Sequence, residues 1–224
     1  LPKSLSLVGH EVSVIAPYYP QILQKYRGTL PAIESIGLSV YVSMGAKQVE
    51  GRILARIANG EAVALISDAG TPLISDPGYR LVRAAREAGL PVFSVPGPSA
   101  VTAALSVAGL PPDRFTFEGF LPAKEAARKK KLEALSHETR TLVFYESSHR
   151  IEASIRNMSE IFGEQRMAAV CRELTKKFET VSRAPLADVT GMLSADKNQT
   201  RGEFVIIVNV NLYLMKHMDL IDGL

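Results

Sequence analysis

The stretch that decides the fold is EAVALISDAGTPLISDPGYR, residues 61–80. It opens with a short apolar run at residues 62–66, which is typical of a buried parallel strand. Two turns rich in Asp, Gly and Pro follow at residues 67–72 and 75–78, and residues 79–89 then show helical spacing and a terminal Gly. A strand, a tight loop and a helix in this order form the ligand crevices of open α/β sheets.

A second loop of the same kind is VPGPSA, residues 95–100, which follows a predicted strand at residues 91–95. Gly97 allows a ligand to approach the backbone closely. We expect Ser99 to cap a helix over residues 100–108 and the first amides of that helix to face a polar ligand. An ordinary connection between a strand and a helix remains the alternative for the first loop.

Five motifs in a fixed order carry a wider resemblance. They are SDAGTPLISDPGYRLVRAAREAGLPV, VPGPSAVTAALSVAGLPPDRFTFEGFLPAK, TLVFYESSHRI, RELTKKFE and RGEFVIIV. Together they resemble the ribosomal RNA small subunit methyltransferase I family, which belongs to the tetrapyrrole-methylase-like enzymes. The resemblance covers residues 48–208. Residues 1–47 and 209–224 do not match, and the first cofactor loop of the family is not recognisable. Residues 1–20 instead weakly resemble the start of glycogen or starch synthases.

The resemblance implies an α/β fold with two domains: a parallel-sheet domain, then a smaller mixed-sheet α/β domain, with the cofactor cleft between them. We expect the first domain at residues 1–118, the second at 123–212 and a tail at 213–224. Residues 115–122 contain Gly119 and Pro122, so we interpret them as the linker between the domains.

The cofactor implied by the resemblance is S-adenosylmethionine, and the implied substrate is a cytidine ribose of 16S ribosomal RNA, methylated at its 2′ oxygen. A homodimer is implied in the same way. The cofactor contacts that the resemblance places on this chain are Asp68, Ala69, Gly70, Thr71, Ser99, Ala100, Tyr145, Gly202 and Glu203.

A ribose hydroxyl holds its proton tightly, so methyl transfer to it benefits from a general base. Glu146, at the end of a predicted buried strand, is the first candidate for that base. His149 is the second, and a structural role is its alternative. The sequence contains no HExxH or CxxC motif, so metal catalysis is not indicated.

Basic residues crowd the start of a predicted helix at residues 123–137. Cations oppose the macrodipole at a helix N-terminus, and RNA phosphate would compensate for that cost. A solvated helix face is the alternative. The residues that we predict to contact RNA are Arg128, Lys129, Lys130 and Lys131 in this run, and Arg150, Arg172 and Lys176 beside later strand ends.

The composition excludes several classes of protein. The chain has 224 residues, of which 46% are hydrophobic, and a net charge of +3, so a folded and mildly basic protein is expected. Its single cysteine, Cys171, excludes a disulfide framework and reads as a buried structural thiol. No apolar run reaches the length of a membrane span and no signal peptide is evident, so a cytoplasmic location is expected.

Three other functions stay open. The first is a methyltransferase for a tetrapyrrole or another small molecule, and the second is a catalytically incomplete RNA-binding fragment or fusion. The third, which rests on residues 1–20 alone, is a glycosyltransferase.

Overall fold

The computed structural model describes residues 13–15, 46–61, 63–65, 67, 70–94 and 97–209. The chain forms two compact units, residues 1–98 and residues 99–224. The division therefore falls before the predicted linker at residues 115–122. The predicted tail at residues 213–224 lies outside the described residues.

In the first unit, strand β1 (Ser13–Ile15) pairs in parallel with β2 (Val63–Leu65). Helix α1 (Ala46–Ala58) precedes β2, and α2 (Tyr79–Glu87) begins after Gly78. The strand–loop–helix order predicted for residues 61–80 is therefore present.

The strand predicted at residues 91–95 is wrong for its described part, because residues 91–94 have no regular secondary structure. The carbonyl of Val92 accepts a hydrogen bond from the Arg86 guanidinium at 3.2 Å instead of joining a sheet. Phe93 is 85% exposed, which also does not fit a buried strand.

The second unit is built on a five-stranded mixed sheet of β3 (Phe115–Phe120), β4 (Thr141–Ser147), β5 (Met167–Arg172), β6 (Thr180–Pro185) and β7 (Glu203–Val208). The strand order is β3-β4-β7-β5-β6. Strands β3 and β4 run parallel, whereas β7 is antiparallel to both β4 and β5, and β6 is antiparallel to β5. The α/β class and the mixed sheet are confirmed.

Helices cover both faces of this sheet. Leu142 and Phe144 of β4 point to one face and Val143 to the other, and all three side chains are fully buried because each face carries its own core. Helix α3 (Ala100–Val107) covers the Val143 face, and α4 (Glu125–Leu135), α5 (Ile151–Phe162) and α6 (Leu186–Ala195) cover the Phe144 face. A short 3₁₀ helix (Lys197–Thr200) leads into β7.

The predicted linker is wrong, because most of it is strand β3. Phe115, Thr116 and Phe117 pair in register with residues 141–143 of β4, and the register then shifts between Phe117 and Gly119. Gly119 has a φ of 64°, so the glycine that suggested a break instead accommodates an extra residue within a continuous strand.

The side chain of Arg128, which the sequence predicts to contact RNA, is turned into the protein. It lies on the inner face of α4, only 4% exposed, and its Nε donates to Asn157 Oδ1 of α5 at 2.7 Å. Its Nη1 donates to the carbonyls of Pro122 at 3.4 Å and Ala123 at 3.2 Å. Arg128 therefore satisfies buried acceptors and ties α4 to α5, which charge alone could not reveal.

We expect Arg128→Ala to lower the free energy of unfolding by roughly 2–3 kcal/mol, because it leaves buried acceptors unpaired and removes a packed side chain. Lys130→Ala is the matched control: it lies on the exposed side of the same helix and should change stability by less than about 0.5 kcal/mol. Urea denaturation followed by circular dichroism measures both, and equal midpoints would contradict the assigned role of Arg128.

Candidate functional site

The sheet of the second unit brings separate motifs to one of its ends. Strands β3, β4 and β5 all finish there, and the antiparallel β7 begins there. We call this the carboxyl end of the sheet. Phe120 lies opposite Tyr145, and Ser147 opposite Glu203. The predicted site residues that occupy the carboxyl end or the loops joined to it are Tyr145, Glu146, His149, Arg150, Arg172, Lys176, Gly202 and Glu203.

Glu146 is buried on the face that carries α5. Its side chain is fully enclosed, and its carboxylate accepts hydrogen bonds from Ser154 Oγ at 2.7 Å, from the Ser147 amide at 2.8 Å and from Arg150 Nε at 3.0 Å. Its charge is matched by Arg150, which lies four residues further along the chain. This geometry fits an anchor for the turn that starts α5, rather than the general base predicted from the sequence.

Tyr145 points to the opposite face, because successive side chains of a strand alternate. It packs against the core under α3, together with Phe117. The Tyr145 ring meets the ring of Phe117 edge-on at 4.8 Å between centroids, and that of Phe120 at 5.6 Å. Tyr145 and Glu146 therefore do not serve the same side of the sheet.

Gly202 and Glu203 are held by the loop that follows β5. The Glu203 amide donates to Glu173 Oε1 at 2.8 Å, and the Glu173 amide donates to the Glu203 carbonyl at 2.9 Å. Lys176 Nζ bridges the two carboxylates, at 2.7 Å from Glu203 and 3.0 Å from Glu173. The Glu203 amide and then Lys176 lower the pKa of Glu173, and the Glu203 carboxylate raises the pKa of Lys176.

The other basic side chains at the carboxyl end of the sheet differ in the hydrogen bonds and ion pairs that they make. Arg172 donates to the carbonyls of Arg201 at 2.6 Å and Phe178 at 3.1 Å, so it closes the same loop as Lys176. Arg150 is paired with Glu146 and is 27% exposed at its side chain. His149 lies exposed in the turn, and no described residue pairs with its imidazole.

The lysines of α4 also separate into two kinds. Lys129 pairs with Glu160 at 2.8 Å, and that carboxylate raises its pKa. Lys131 donates to the Glu118 carbonyl at 2.7 Å and pairs with the Glu118 carboxylate at 3.3 Å. Lys130, and Lys124 at the start of the helix, are exposed, and within the described part of the chain neither has a partner.

In the first unit, the first loop is bent through several residues in the left-handed region. The φ angles are 73° at Gly70, 71° at Leu73, 61° at Ser75 and 130° at Gly78. For Leu and Ser this conformation is strained, and such strain often lies at ligand-binding loops. The Ser67 hydroxyl donates to the Asp76 carboxylate and so ties the two turns together.

The two predicted loops meet in this unit. The Thr71 hydroxyl donates to the Pro98 carbonyl at 2.9 Å, and a Cβ on Gly70 would lie 3.7 Å from the same oxygen. Asp68 and Ala69 lie outside the described residues. Thr71 and Pro98 thus bring the two loops into contact.

Ser99 does not cap α3 with its side chain, contrary to the prediction. It has an extended backbone, and its carbonyl accepts from the Ala103 amide at 3.0 Å and from the Thr102 hydroxyl at 3.2 Å. The Ser99 hydroxyl therefore leaves the first amides of α3 to other acceptors. Ala100, the first residue of the helix, packs partly against the core.

Sequence patterns did not reveal three contributors to this site. Ser154 and Glu173 act through long-range contacts, with Glu146 and Glu203 respectively. Phe120 stands beside Tyr145 only because of the register shift in β3. The one available signal was the charge pattern of RELTKKFE, in which a Glu and a Lys three residues apart can pair.

The described residues contain no group of three or more His, Cys, Asp or Glu that could hold a metal ion. None of the helices described is both long and apolar enough to cross a membrane.

Comparison with known proteins places this architecture among methyltransferases. Residues 17–190 match the model of the tetrapyrrole (corrin/porphyrin) methylases. A 157-residue segment is 61% identical to a ribosomal RNA small subunit methyltransferase I from Xylella fastidiosa, and a 158-residue segment is 55% identical to the protein of that name from Pseudomonas aeruginosa. Each segment is 70% of this chain, but only 58% and 56% of the respective relatives.

A solved structure has the same fold. The chain superposes on a cobalamin biosynthetic enzyme, cobalt precorrin-4 methyltransferase, with a TM-score of 0.58 at 18% identity, covering 92% of this chain and 87% of the other. The tetrapyrrole-methylase-like fold predicted from the sequence is confirmed.

Substituting Gly202 tests the geometry at the start of β7. Its φ is 107°, and an added Cβ would lie 2.5 Å from Glu173 Cγ, so we expect Gly202→Ala to destabilise the protein by roughly 1–3 kcal/mol. Gly191, within α6, has nothing within 4 Å of an added Cβ, so Gly191→Ala should stabilise by about 0.4–1 kcal/mol. Thermal and urea unfolding of both variants would refute this assignment if the two changes had the same sign.

Proposed function

Because the chain belongs to the tetrapyrrole (corrin/porphyrin) methylase family, we propose that it transfers a methyl group from S-adenosylmethionine to ribosomal RNA of the small subunit. The observation that carries this proposal is the 61% identity to a ribosomal RNA small subunit methyltransferase I. That identity extends over 157 residues, which are 70% of this chain and 58% of the relative.

The residues present are compatible with the methyl donor. Its methionine part bears a carboxylate, and the N-terminus of α3 offers amides that the Ser99 hydroxyl does not use. Gly70 leaves its backbone open to a ligand, since a side chain there would reach only the Pro98 carbonyl. When bound, S-adenosylmethionine supplies a methyl group already activated by the positive sulfur, so the protein has mainly to orient the partners and exclude water.

The predicted cofactor contacts do not all have equal support. In the first unit, Gly70 and Thr71 lie beside the Pro98 carbonyl. In the second unit, Ser99 and Ala100 begin α3, and Tyr145 offers a rigid ring at the end of the sheet. Glu203 is engaged by Glu173 and Lys176 through its amide, its carbonyl and its carboxylate, so a contact with the cofactor at this position would go through the backbone of Gly202.

We retain the 2′ oxygen of a cytidine ribose as the proposed acceptor. His149 is then the better candidate for its general base, because it is exposed at the carboxyl end of the sheet whereas Glu146 is enclosed. Glu146 keeps a positioning role, since its bonds to Ser147, Arg150 and Ser154 hold the turn that carries His149.

The proposed RNA contacts are Lys130 and Lys124, with contributions from Arg150, Lys129, Lys131, Arg172 and Lys176 that require their present ion pairs or hydrogen bonds to rearrange. A homodimer and a location with the ribosome in the cytoplasm complete the proposal. Both rest on the resemblance to the family.

Methyl transfer and cofactor binding are tested together. We expect the purified chain to transfer tritiated methyl groups from S-adenosylmethionine to small ribosomal subunits, and Asp68→Ala to abolish cofactor binding in calorimetry. Asp113→Ala, at an exposed aspartate that precedes β3, is the matched control and should bind normally. Absence of both transfer and binding in the wild-type chain would favour the catalytically incomplete fragment, and transfer to a tetrapyrrole alone would favour the small-molecule enzyme.

The roles of the α4 lysines are tested by salt dependence. Each lysine that contacts a phosphate contributes about 1 to the slope of log affinity against log salt concentration. We expect Lys130→Ala to reduce that slope by about 1 and Lys129→Ala to reduce it by less, because the Lys129 ammonium must first leave Glu160 to reach a phosphate. Filter binding of small-subunit RNA at several salt concentrations gives the slopes, and equal reductions in the two variants would refute the distinction.

A further inference from the structure

Three aromatic side chains form a continuous group where β3 and β4 end. They are Phe117 and Phe120 of β3 and Tyr145 of β4, with Tyr145 edge-on to both. Residues three apart on a regular strand point to opposite faces. The register shift makes Glu118 an extra residue, which turns Phe120 back to the side of Phe117 and Tyr145.

Two rings of this aromatic group are packed against the protein, and the third is exposed. Phe117 and Tyr145 are partly buried and pack against the core under α3. Phe120 is 49% exposed although it is a large apolar residue in a regular strand. Its position is determined by the Tyr145 ring at 5.6 Å and by strand pairing, so the exposed ring needs little ordering before it binds a ligand.

Two charged residues flank Phe120 in the chain. The Glu118 carboxylate is neutralised by Lys131 at 3.3 Å. Lys124, shortly after Phe120 in the chain, is exposed and unpaired among the described residues. Exposed aromatic faces beside cations are how proteins hold single-stranded nucleic acid, because bases stack on the ring while phosphates meet the cations.

We propose that the Phe120 ring is a stacking platform for an unpaired base of the RNA substrate, supported from behind by Tyr145 and Phe117. This inference rests on the proposed function for the identity of the ligand. It adds an RNA contact made by ring stacking rather than by charge. The bulge at Glu118 and Gly119 would then serve to bring Phe120 to the side of the sheet where the base stacks.

The test compares substitutions of Phe120 that remove different properties. Phe120→Ala removes the ring, Phe120→Leu keeps an apolar side chain without a π face, and Phe120→Tyr keeps the ring. Phe115→Ala is the matched control, because Phe115 is 40% exposed on the same strand but lies at the opposite end of the sheet. Circular dichroism and thermal unfolding establish that each variant is folded.

The probe is a single-stranded RNA oligonucleotide carrying 2-aminopurine, whose fluorescence is quenched when the base stacks. We expect Phe120→Ala and Phe120→Leu to weaken RNA binding about 10- to 100-fold and to lose the quenching, whereas Phe120→Tyr retains both. Phe115→Ala should bind as the wild-type chain does. Calorimetry with S-adenosylmethionine should give the same affinity for all variants.

The outcomes separate this inference from the proposed function. If the wild-type chain methylates small subunits and Phe120→Leu matches it in RNA affinity and quenching, the platform is refuted while the function stands. If the wild-type chain transfers no methyl group to RNA but quenches the probe in a Phe120-dependent way, the function fails and the platform stands. A chain that does not bind the probe, or a Phe120→Ala variant that changes only the oligomeric state in sedimentation, refutes the platform.

Discussion

Strand β7 pairs with β4 on one side and with β5 on the other, and this antiparallel insertion determines where the candidate site lies. It places the start of β7, with Gly202 and Glu203, beside the ends of β4 and β5. The Glu173 loop can then bind the Glu203 amide, and the motifs YESSHR, RELTKK and RGE come to one end of the sheet although they are far apart in sequence. The core depends on the same strand, because Ile206 and Ile207 are buried on opposite faces of the sheet.

The local elements could be predicted wherever one short-range pattern decided the outcome. The helix predicted after the first loop is present at Tyr79–Glu87, because its apolar spacing and the following glycine are both local signals. Strand β6 was not predicted: its residues alternate between half-buried and exposed, and TVSRAP contains few apolar side chains. Phe115–Phe120 was mistaken for a linker, because a glycine that accommodates a bulge has the same sequence signature as a glycine that ends a strand.

Charged residues were the least predictable part of the site, because the sequence gives their number but not their partners. Arg128 and Lys130 are two positions apart in one basic run, yet one is buried against Asn157 and the other is exposed. The run does not form a uniform cationic face: Lys129 and Lys131 are paired with Glu160 and Glu118. The cost of cations near the start of a helix, which pointed to RNA, is met at Lys129 and Lys131 by carboxylates of the protein itself.

The alternation of β4 divides the chemistry of this end of the sheet between two sides. Tyr145 faces the aromatic group and α3, and Glu146 faces α5, so a substrate stacked on Phe120 would lie on the side from which the Glu146 carboxylate is excluded. Glu146 can then influence such a substrate only through the turn that it anchors. Arg150 and the Ser147 amide are hydrogen-bonded to the Glu146 carboxylate, and His149 lies between these two residues in the chain. A buried carboxylate with three hydrogen bonds gives that turn one preferred conformation, and a general base carried on the turn needs such a fixed position to meet a ribose hydroxyl. His149, the second candidate for the general base in the sequence, is thus held in place by Glu146, the first candidate.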